Sequence, residues 1–101
     1  MNLRAGTRLR SAVCATEVMT VRAPDGDVDL RCGGVPMLLP DDEGGGGAVD
    51  PSHSAGTQLG KRYADEEVGI EVLCVKPGDG SLAIGDAVLE LKSAKPLPSS
   101  D

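Results

Sequence analysis

Two diverged copies of one short unit follow each other in the chain, and this repeat constrains the fold more than any other feature. Residues 17–30 align with residues 71–84 without a gap. The identical pairs are Glu17/Glu71, Val18/Val72, Val21/Val75, Asp25/Asp79 and Gly26/Gly80. The pattern AGT-x-L of residues 5–9 also recurs at residues 55–59. Half of a 101-residue chain buries little apolar surface on its own, so the repeat predicts two similar units that share one core.

Each copy has the pattern of strands joined by a tight turn. Residues 18–22 and 70–76 are rich in β-branched and apolar residues, which favour strands. The turn sequences PDGD at 24–27 and PGDG at 77–80 follow them. In such turns proline fixes φ, and glycine accepts a positive φ. The predicted fold is therefore mostly β, with two repeated small β-hairpin units packed as a pseudo-symmetric pair. A helical turn is expected only within residues 63–68.

The composition between the two copies predicts the domain organisation. We expect the first β unit at residues 1–39 and the second at 59–92. Residues 40–58 include the run DDEGGGG, which has nothing apolar to bury, and they are expected to form a flexible acidic, glycine-rich linker. Residues 93–101 contain two prolines and are expected to form an extended or disordered tail.

Charge and apolar content exclude several classes of protein. The net charge is −6 and the basic residues are scattered, so we expect no nucleic-acid binding. The exception is the group Arg4, Arg8 and Arg10, which we interpret as a solvated strand edge. No apolar run is long enough for a membrane span or a signal peptide, so we expect no membrane association and a cytoplasmic location. The chain has no Trp or Phe and one Tyr, and such a modest core predicts a homodimer or a partner protein.

The residues with the clearest chemical potential are Cys14 and Cys32, which flank the turn region of the first unit. Cys32 is followed by two glycines, and a tight turn of this kind points backbone N–H groups at a sulfur. Three interpretations stay open for this pair: buried small hydrophobic residues, a metal site, or a redox disulfide. Cys74 lies in an apolar strand, where we expect it to be a core residue.

The sequences LRSAVC at residues 9–14 and VDLRCGGVPM at residues 28–37 resemble the desulforedoxin family, which includes the N-terminal iron domain of desulfoferrodoxins. That family has a Cys-x-x-Cys knuckle, a hairpin and then Cys-Cys-Gly-x-x-Met. The resemblance implies that Cys14 and Cys32 are the remaining metal ligands, with Ser11 in place of a first cysteine. In an alternative register Cys14 is the first ligand and Glu17 stands at the second. Two thiols are absent in either register, so the resemblance implies a degenerate iron site, without stoichiometric cofactor and with at most substoichiometric zinc or iron.

No set of catalytic residues stands out in the sequence. The single histidine, His53, lies in the glycine-rich segment, where no rigid scaffold holds it against a nucleophile. We therefore expect no enzyme, but a small accessory or binding protein with a desulforedoxin-like fold that has lost its full iron site. The alternative is a metal-binding or thiol-redox protein that uses Cys14 and Cys32.

Overall fold

The computed structural model describes residues 2–42, 44–85 and 87–92, and it confirms the prediction of a mostly β protein. The strands are β1 (Arg8–Arg10), β2 (Glu17–Arg22), β3 (Leu30–Cys32), β4 (Val35–Pro36), β5 (Arg62–Asp65), β6 (Ile70–Lys76), β7 (Leu82–Ile84), β8 (Ala87–Val88) and β9 (Glu90–Lys92). A short 3₁₀ helix, Pro51–His53, lies between β4 and β5. Among the described residues, no helix is long and apolar enough to cross a membrane.

The strands form two antiparallel sheets, and each sheet combines strands from both copies of the repeat. The five-stranded sheet has the order β1-β2-β6-β5-β9, and the four-stranded sheet has the order β4-β3-β7-β8. The two copies are therefore hydrogen-bonded to each other in both sheets, through the pairing of β2 with β6 and of β3 with β7. Arg8 and Arg10 lie on β1, at an edge of the five-stranded sheet as predicted.

The strand register follows the repeat. Met19 pairs with Leu73, its own counterpart 54 positions later in the alignment. The same shift converts the pair Glu17–Lys76 into the pair Arg22–Glu71, and both pairs are present. In the second sheet Leu30 pairs with its counterpart Ile84. These strand pairs are thus related by the same 54-residue shift. Superposition of the two units stays a prediction.

The predicted hairpins at residues 24–27 and 77–80 are wrong. The strands on either side of each turn belong to different sheets, so the turn carries the chain from one sheet to the other. The paired neighbours in sequence are instead β1–β2, β3–β4, β5–β6 and β7–β8. Alternating apolar residues and a turn sequence predict strands correctly, but they do not specify which strand supplies the hydrogen bonds.

The start of the second copy also differs from the sequence alignment. Leu9 pairs with Val18, and Tyr63 pairs with Val72, so the structural counterpart of Leu9 is Tyr63 rather than Leu59. Leu9 and Tyr63 are 1% and 8% exposed, whereas Leu59 is 64% exposed. Of the helical turn expected within residues 63–68, the first half is instead β5 (Arg62–Asp65), and a single turn closed by the Gly69 N–H donating to the Asp65 carbonyl at 2.8 Å follows it.

One apolar cluster lies between the strands of the two sheets and draws on both copies of the repeat. Cys74 belongs to it and is almost fully buried, as predicted. The most completely buried members are Leu9, Val18, Leu30, Cys32, Met37, Ile70, Val72, Cys74 and Leu82. Tyr63 is the only aromatic side chain, so aliphatic and sulfur-containing side chains supply nearly all of the packing.

The register predicts unequal effects for two leucines that the sequence alone makes equivalent. Leu9→Ala should lower the free energy of unfolding by about 2–5 kcal/mol, because it leaves a cavity in the core. Leu59→Ala should change it by less than about 0.5 kcal/mol, because the side chain is exposed. Urea denaturation of both variants measures this difference. Equal losses of stability would contradict the register described here.

Candidate functional site

The structure brings Cys14 and Cys32 into contact. Cys14 lies in the loop of residues 11–16 that joins β1 to β2, and Cys32 is the last residue of β3. Their sulfur atoms are 3.8 Å apart, and all three cysteines of the chain are free thiols. The turn at residues 77–80 closes the site from the second copy, with the Gly80 N–H donating to Cys14 Sγ at 3.4 Å.

Two glycines of that turn are required by close approach to the thiols. A Cβ atom on Gly80 would lie 2.8 Å from the Gly33 nitrogen and 3.0 Å from Cys32 Sγ. A Cβ atom on Gly78 would overlap Thr16 and lie 3.0 Å from Cys14 Sγ. Neither glycine has a positive φ, so the turn sequence predicted these residues for the wrong reason. They allow the backbone of the second copy to touch the sulfurs of the first.

Ser11 holds the Cys14 loop, and its hydroxyl accepts from the Cys14 thiol and can donate to it once the thiol is ionised. Ser11 Oγ accepts hydrogen bonds from the N–H groups of Val13 and Cys14, each at 3.1 Å. The same oxygen lies 3.3 Å from Cys14 Sγ. Since both lone pairs of the hydroxyl are occupied, its proton is free to point at the thiolate.

Thr16 lies on the other side of the sulfur and is linked to the second copy through Thr57. Thr16 Oγ1 is 3.2 Å from Cys14 Sγ and 3.0 Å from Thr57 Oγ1. Thr57 Oγ1 accepts the N–H of Gly78 at 3.0 Å. Thr16 and Thr57 are both buried, so these contacts satisfy hydroxyls that have little access to water.

The surroundings of Cys14 favour its thiolate. Partial burial alone raises the pKa of this thiol. Hydrogen bonds from the hydroxyls of Ser11 and Thr16, and from the backbone N–H groups of Thr16 and Gly80, outweigh the burial. The result is a pKa lowered from 9.0 to about 7, which leaves a large fraction of Cys14 ionised near neutral pH.

The surroundings of Cys32 favour its protonated thiol. Burial raises the pKa of its thiol to about 11, and the charge of the adjacent Cys14 thiolate acts in the same direction. Cys32 is 0% exposed, whereas Cys14 keeps part of its surface in contact with solvent. The pair therefore consists of one accessible, acidic thiol and one buried, protonated thiol behind it.

The described residues supply two thiols but no larger set of metal ligands around them. Over residues 2–42, 44–85 and 87–92, no group of three or more His, Cys, Asp or Glu residues is placed to hold a metal ion. The alternative ligand Glu17 forms an ion pair with Lys76, at 3.8 Å, across the β2–β6 pairing. The expectation of at most substoichiometric zinc or iron at Cys14 and Cys32 stays a prediction.

The segment predicted as a flexible linker is attached to both thiol-bearing turns. The Gly46 N–H donates to the Ala12 carbonyl, and the Asp50 N–H donates to the Gly33 carbonyl at 2.9 Å. Further along, the His53 carbonyl accepts the N–H of Ser81 at 2.8 Å. The histidine thus contributes its backbone to the surroundings of the site, and nanosecond mobility of the segment stays a prediction.

The sequence indicates the two cysteines, Ser11 and the glycine turn, but it does not indicate Thr16 or Thr57, nor that the turn contacts the sulfurs. Thr16, Thr57, Gly78 and Gly80 come from three separate segments, and no spacing rule connects them. Thr57 lies in the repeated AGT sequence, which is visible in the sequence only as a marker of the repeat. The signal that could have pointed to the turn is its pair of closely spaced glycines in the second copy.

Comparison of this chain with protein-family models, curated protein sequences and solved structures finds no significant match. The resemblance to the desulforedoxin family therefore stays a hypothesis that rests on the two sequences around Cys14 and Cys32.

The rate at which iodoacetamide alkylates Cys14 should rise with pH through a midpoint near 7. The midpoint lies below the ordinary value of 9.0 because the thiolate forms at lower pH. In Ser11→Ala it should move upward by about one pH unit, since a hydrogen bond to the charged form is lost. Peptide mass spectrometry of Cys14 in reduced protein measures the rate.

Ser52→Ala is the matched control for Ser11→Ala, because Ser52 is an exposed serine on the 3₁₀ helix. It should leave the midpoint unchanged. A wild-type midpoint near 9, or equal midpoints in the wild type and Ser11→Ala, would contradict the role assigned to these hydrogen bonds.

Proposed function

We propose that the protein is a thiol-redox protein that cycles between a Cys14/Cys32 dithiol and a Cys14–Cys32 disulfide. The observation that carries this proposal is the 3.8 Å separation of the two sulfur atoms. The sulfurs are already in van der Waals contact, and a bond of about 2.05 Å requires them to approach by roughly 1.8 Å. A loop and a strand end can accommodate such a movement without repacking the core.

The two thiols act in successive steps of the thiol–disulfide exchange reaction. The Cys14 thiolate attacks one sulfur of a substrate disulfide, forms a mixed disulfide and releases the other substrate sulfur as a thiolate. The Cys32 thiol then loses its proton and attacks Cys14 Sγ, which expels the second substrate thiolate. The protein loses two electrons and two protons in total, and the substrate disulfide gains them as two thiols.

The assignment of the attacking thiol follows from burial and acidity. Cys14 is partly exposed and its pKa is about 7, so it is both reachable and nucleophilic near neutral pH. Cys32 is fully buried and cannot meet an external disulfide directly. Burial is the main cause of the raised pKa of Cys32, and the charge of Cys14 is a second cause that disappears once Cys14 is in a mixed disulfide.

The proposed thiol-redox cycle fits a cytoplasmic location and a protein partner. A dithiol that cycles needs a thiol pool to reduce it, which the cytoplasm provides. A redox pair on a small β scaffold also suits an accessory protein that changes the redox state of a partner protein. The expectations of a homodimer or partner protein, and of a desulforedoxin-like origin, are compatible with it and stay predictions.

Oxidised glutathione should convert reduced wild-type protein to a form with an intramolecular Cys14–Cys32 disulfide and one free thiol at Cys74. Cys32→Ser should stop at a stable glutathione adduct on Cys14, since the resolving thiol is absent. Cys14→Ser should react much more slowly, because the remaining thiols are buried. Intact mass and peptide mapping measure these products.

Cys74→Ser is the matched control, because Cys74 is equally buried but lies outside the pair, and it should oxidise like the wild type. A wild type that keeps all three thiols, or that forms only intermolecular disulfides, would refute the proposal. So would one zinc ion per chain that survives dialysis and prevents oxidation, since it would make the pair a structural metal site.

A further inference from the structure

We propose that Thr57, a residue of the segment between the two repeat copies, is a positioning residue that aims the Thr16 hydroxyl at Cys14 and thereby sets the redox potential of the Cys14/Cys32 pair. This inference rests on the proposed function, since a potential exists only if the pair cycles. Thr57 does not touch either sulfur in the described contacts; it acts through Thr16.

At the Gly78 end of this series of hydrogen bonds the direction is known, because a backbone N–H can only donate. The Gly78 N–H donates to Thr57 Oγ1 at 3.0 Å, so Thr57 acts as an acceptor there. The Thr57 proton then has two acceptors within reach: Thr16 Oγ1 at 3.0 Å and the Gly78 carbonyl at 3.5 Å. A contact of 3.5 Å is at the limit of a hydrogen bond, so Thr16 is the better acceptor.

While Cys14 is protonated, its thiol donates to Thr16 Oγ1, 3.2 Å away. The Cys14 thiolate can only accept, so when Thr57 donates to Thr16 the proton of Thr16 is available to the ionised sulfur. The chain of donation runs from the Gly78 N–H through both hydroxyls to the thiolate. Each bond in such a chain polarises the next, and burial of both threonines strengthens the effect. With Thr57 unable to donate, the Thr16 hydroxyl keeps the Cys14 sulfur as a partner but loses the donor that polarises it.

This series of hydrogen bonds stabilises the dithiol form more than the disulfide form. A thiolate is a charged acceptor, whereas a disulfide sulfur is a weak neutral one, so the donated bond is lost on oxidation. A stabilised reduced form makes the pair more oxidising. Removing the Thr57 hydroxyl should therefore shift the equilibrium toward the disulfide and make the potential more negative.

Thr57 is anchored by its backbone as well as by its side chain. The Thr57 N–H donates to the Gly78 carbonyl at 3.0 Å, and the Ala55 N–H donates to Ser81 Oγ at 2.8 Å. These bonds hold the segment around Thr57 against the turn beside the thiols, so the Thr57 hydroxyl has a fixed position relative to Thr16.

The charged and titratable groups around Cys14 are the same in all of the variants that test this idea. Cys32 is in contact with it, Asp79 lies on the turn with an exposed side chain, and Glu17 is paired with Lys76. Since none of these is altered, a change in potential at a fixed pH reports the hydroxyl chain alone.

The test is the redox equilibrium of the full chain against glutathione at pH 7, quantified by alkylation and intact mass. Thr57→Val should favour the disulfide by about threefold to tenfold, which corresponds to roughly 15–30 mV. Thr57→Ser keeps the hydroxyl and should restore the wild-type value. Thr16→Val removes the terminal donor and should shift the equilibrium in the same direction even if Thr57→Val folds poorly.

Thr20→Val is the matched control. Thr20 is another buried threonine, and its hydroxyl has no hydrogen-bond partner among the residues that the structure describes. It should leave the potential unchanged. Unchanged potentials in folded Thr57→Val and Thr16→Val would overturn the inference, and so would failure of Thr57→Ser to restore the value. If the wild type forms no Cys14–Cys32 disulfide at all, the proposed function itself fails.

Discussion

The antiparallel pairing of β2 with β6 is the constraint on which the rest of the structure depends. It joins the two copies of the repeat and places Val18 and Val72 in one core. It also sets the site, because β2 begins where the Cys14 loop ends and β6 ends where the glycine turn begins. The pair Glu17–Lys76 therefore puts the loop beside the turn. The pairing of Cys32 with Leu82 brings the second thiol to the same place from the other sheet.

The two copies of the repeat differ in sequence at the positions that form the candidate site. Under the 54-residue shift that relates the strands, the counterparts of Cys14 and Thr16 are Val68 and Ile70. The counterpart of Gly78 is Pro24, whose ring would prevent the close approach that the site requires. The second copy therefore supplies the turn that completes the site of the first, and it has no equivalent site of its own.

The sequence could predict the strands and the two cysteines, because both depend on local information. Residues 70–76 are mostly apolar and β-branched, and the two glycines after Cys32 are visible in the sequence itself. Sheet membership could not be predicted, since a turn such as 24–27 can join strands of one sheet or of two. Thr57 could not be predicted either, because its role depends on a contact with Thr16 from 41 positions away.

Stability and reactivity are coupled in this small core. Ser11, Thr16 and Thr57 are buried polar residues in a protein with little apolar surface to compensate for unsatisfied groups. Their hydroxyls are satisfied by one another, by backbone N–H groups and by the Cys14 sulfur. If the pair oxidises as proposed, that sulfur changes from a good acceptor into a poor one, and the buried hydroxyls need new partners. The disulfide form should therefore differ from the dithiol form most strongly in the loop 11–16 and the turn 77–80, where these hydroxyls are anchored, and least in β6, whose backbone pairs on both sides.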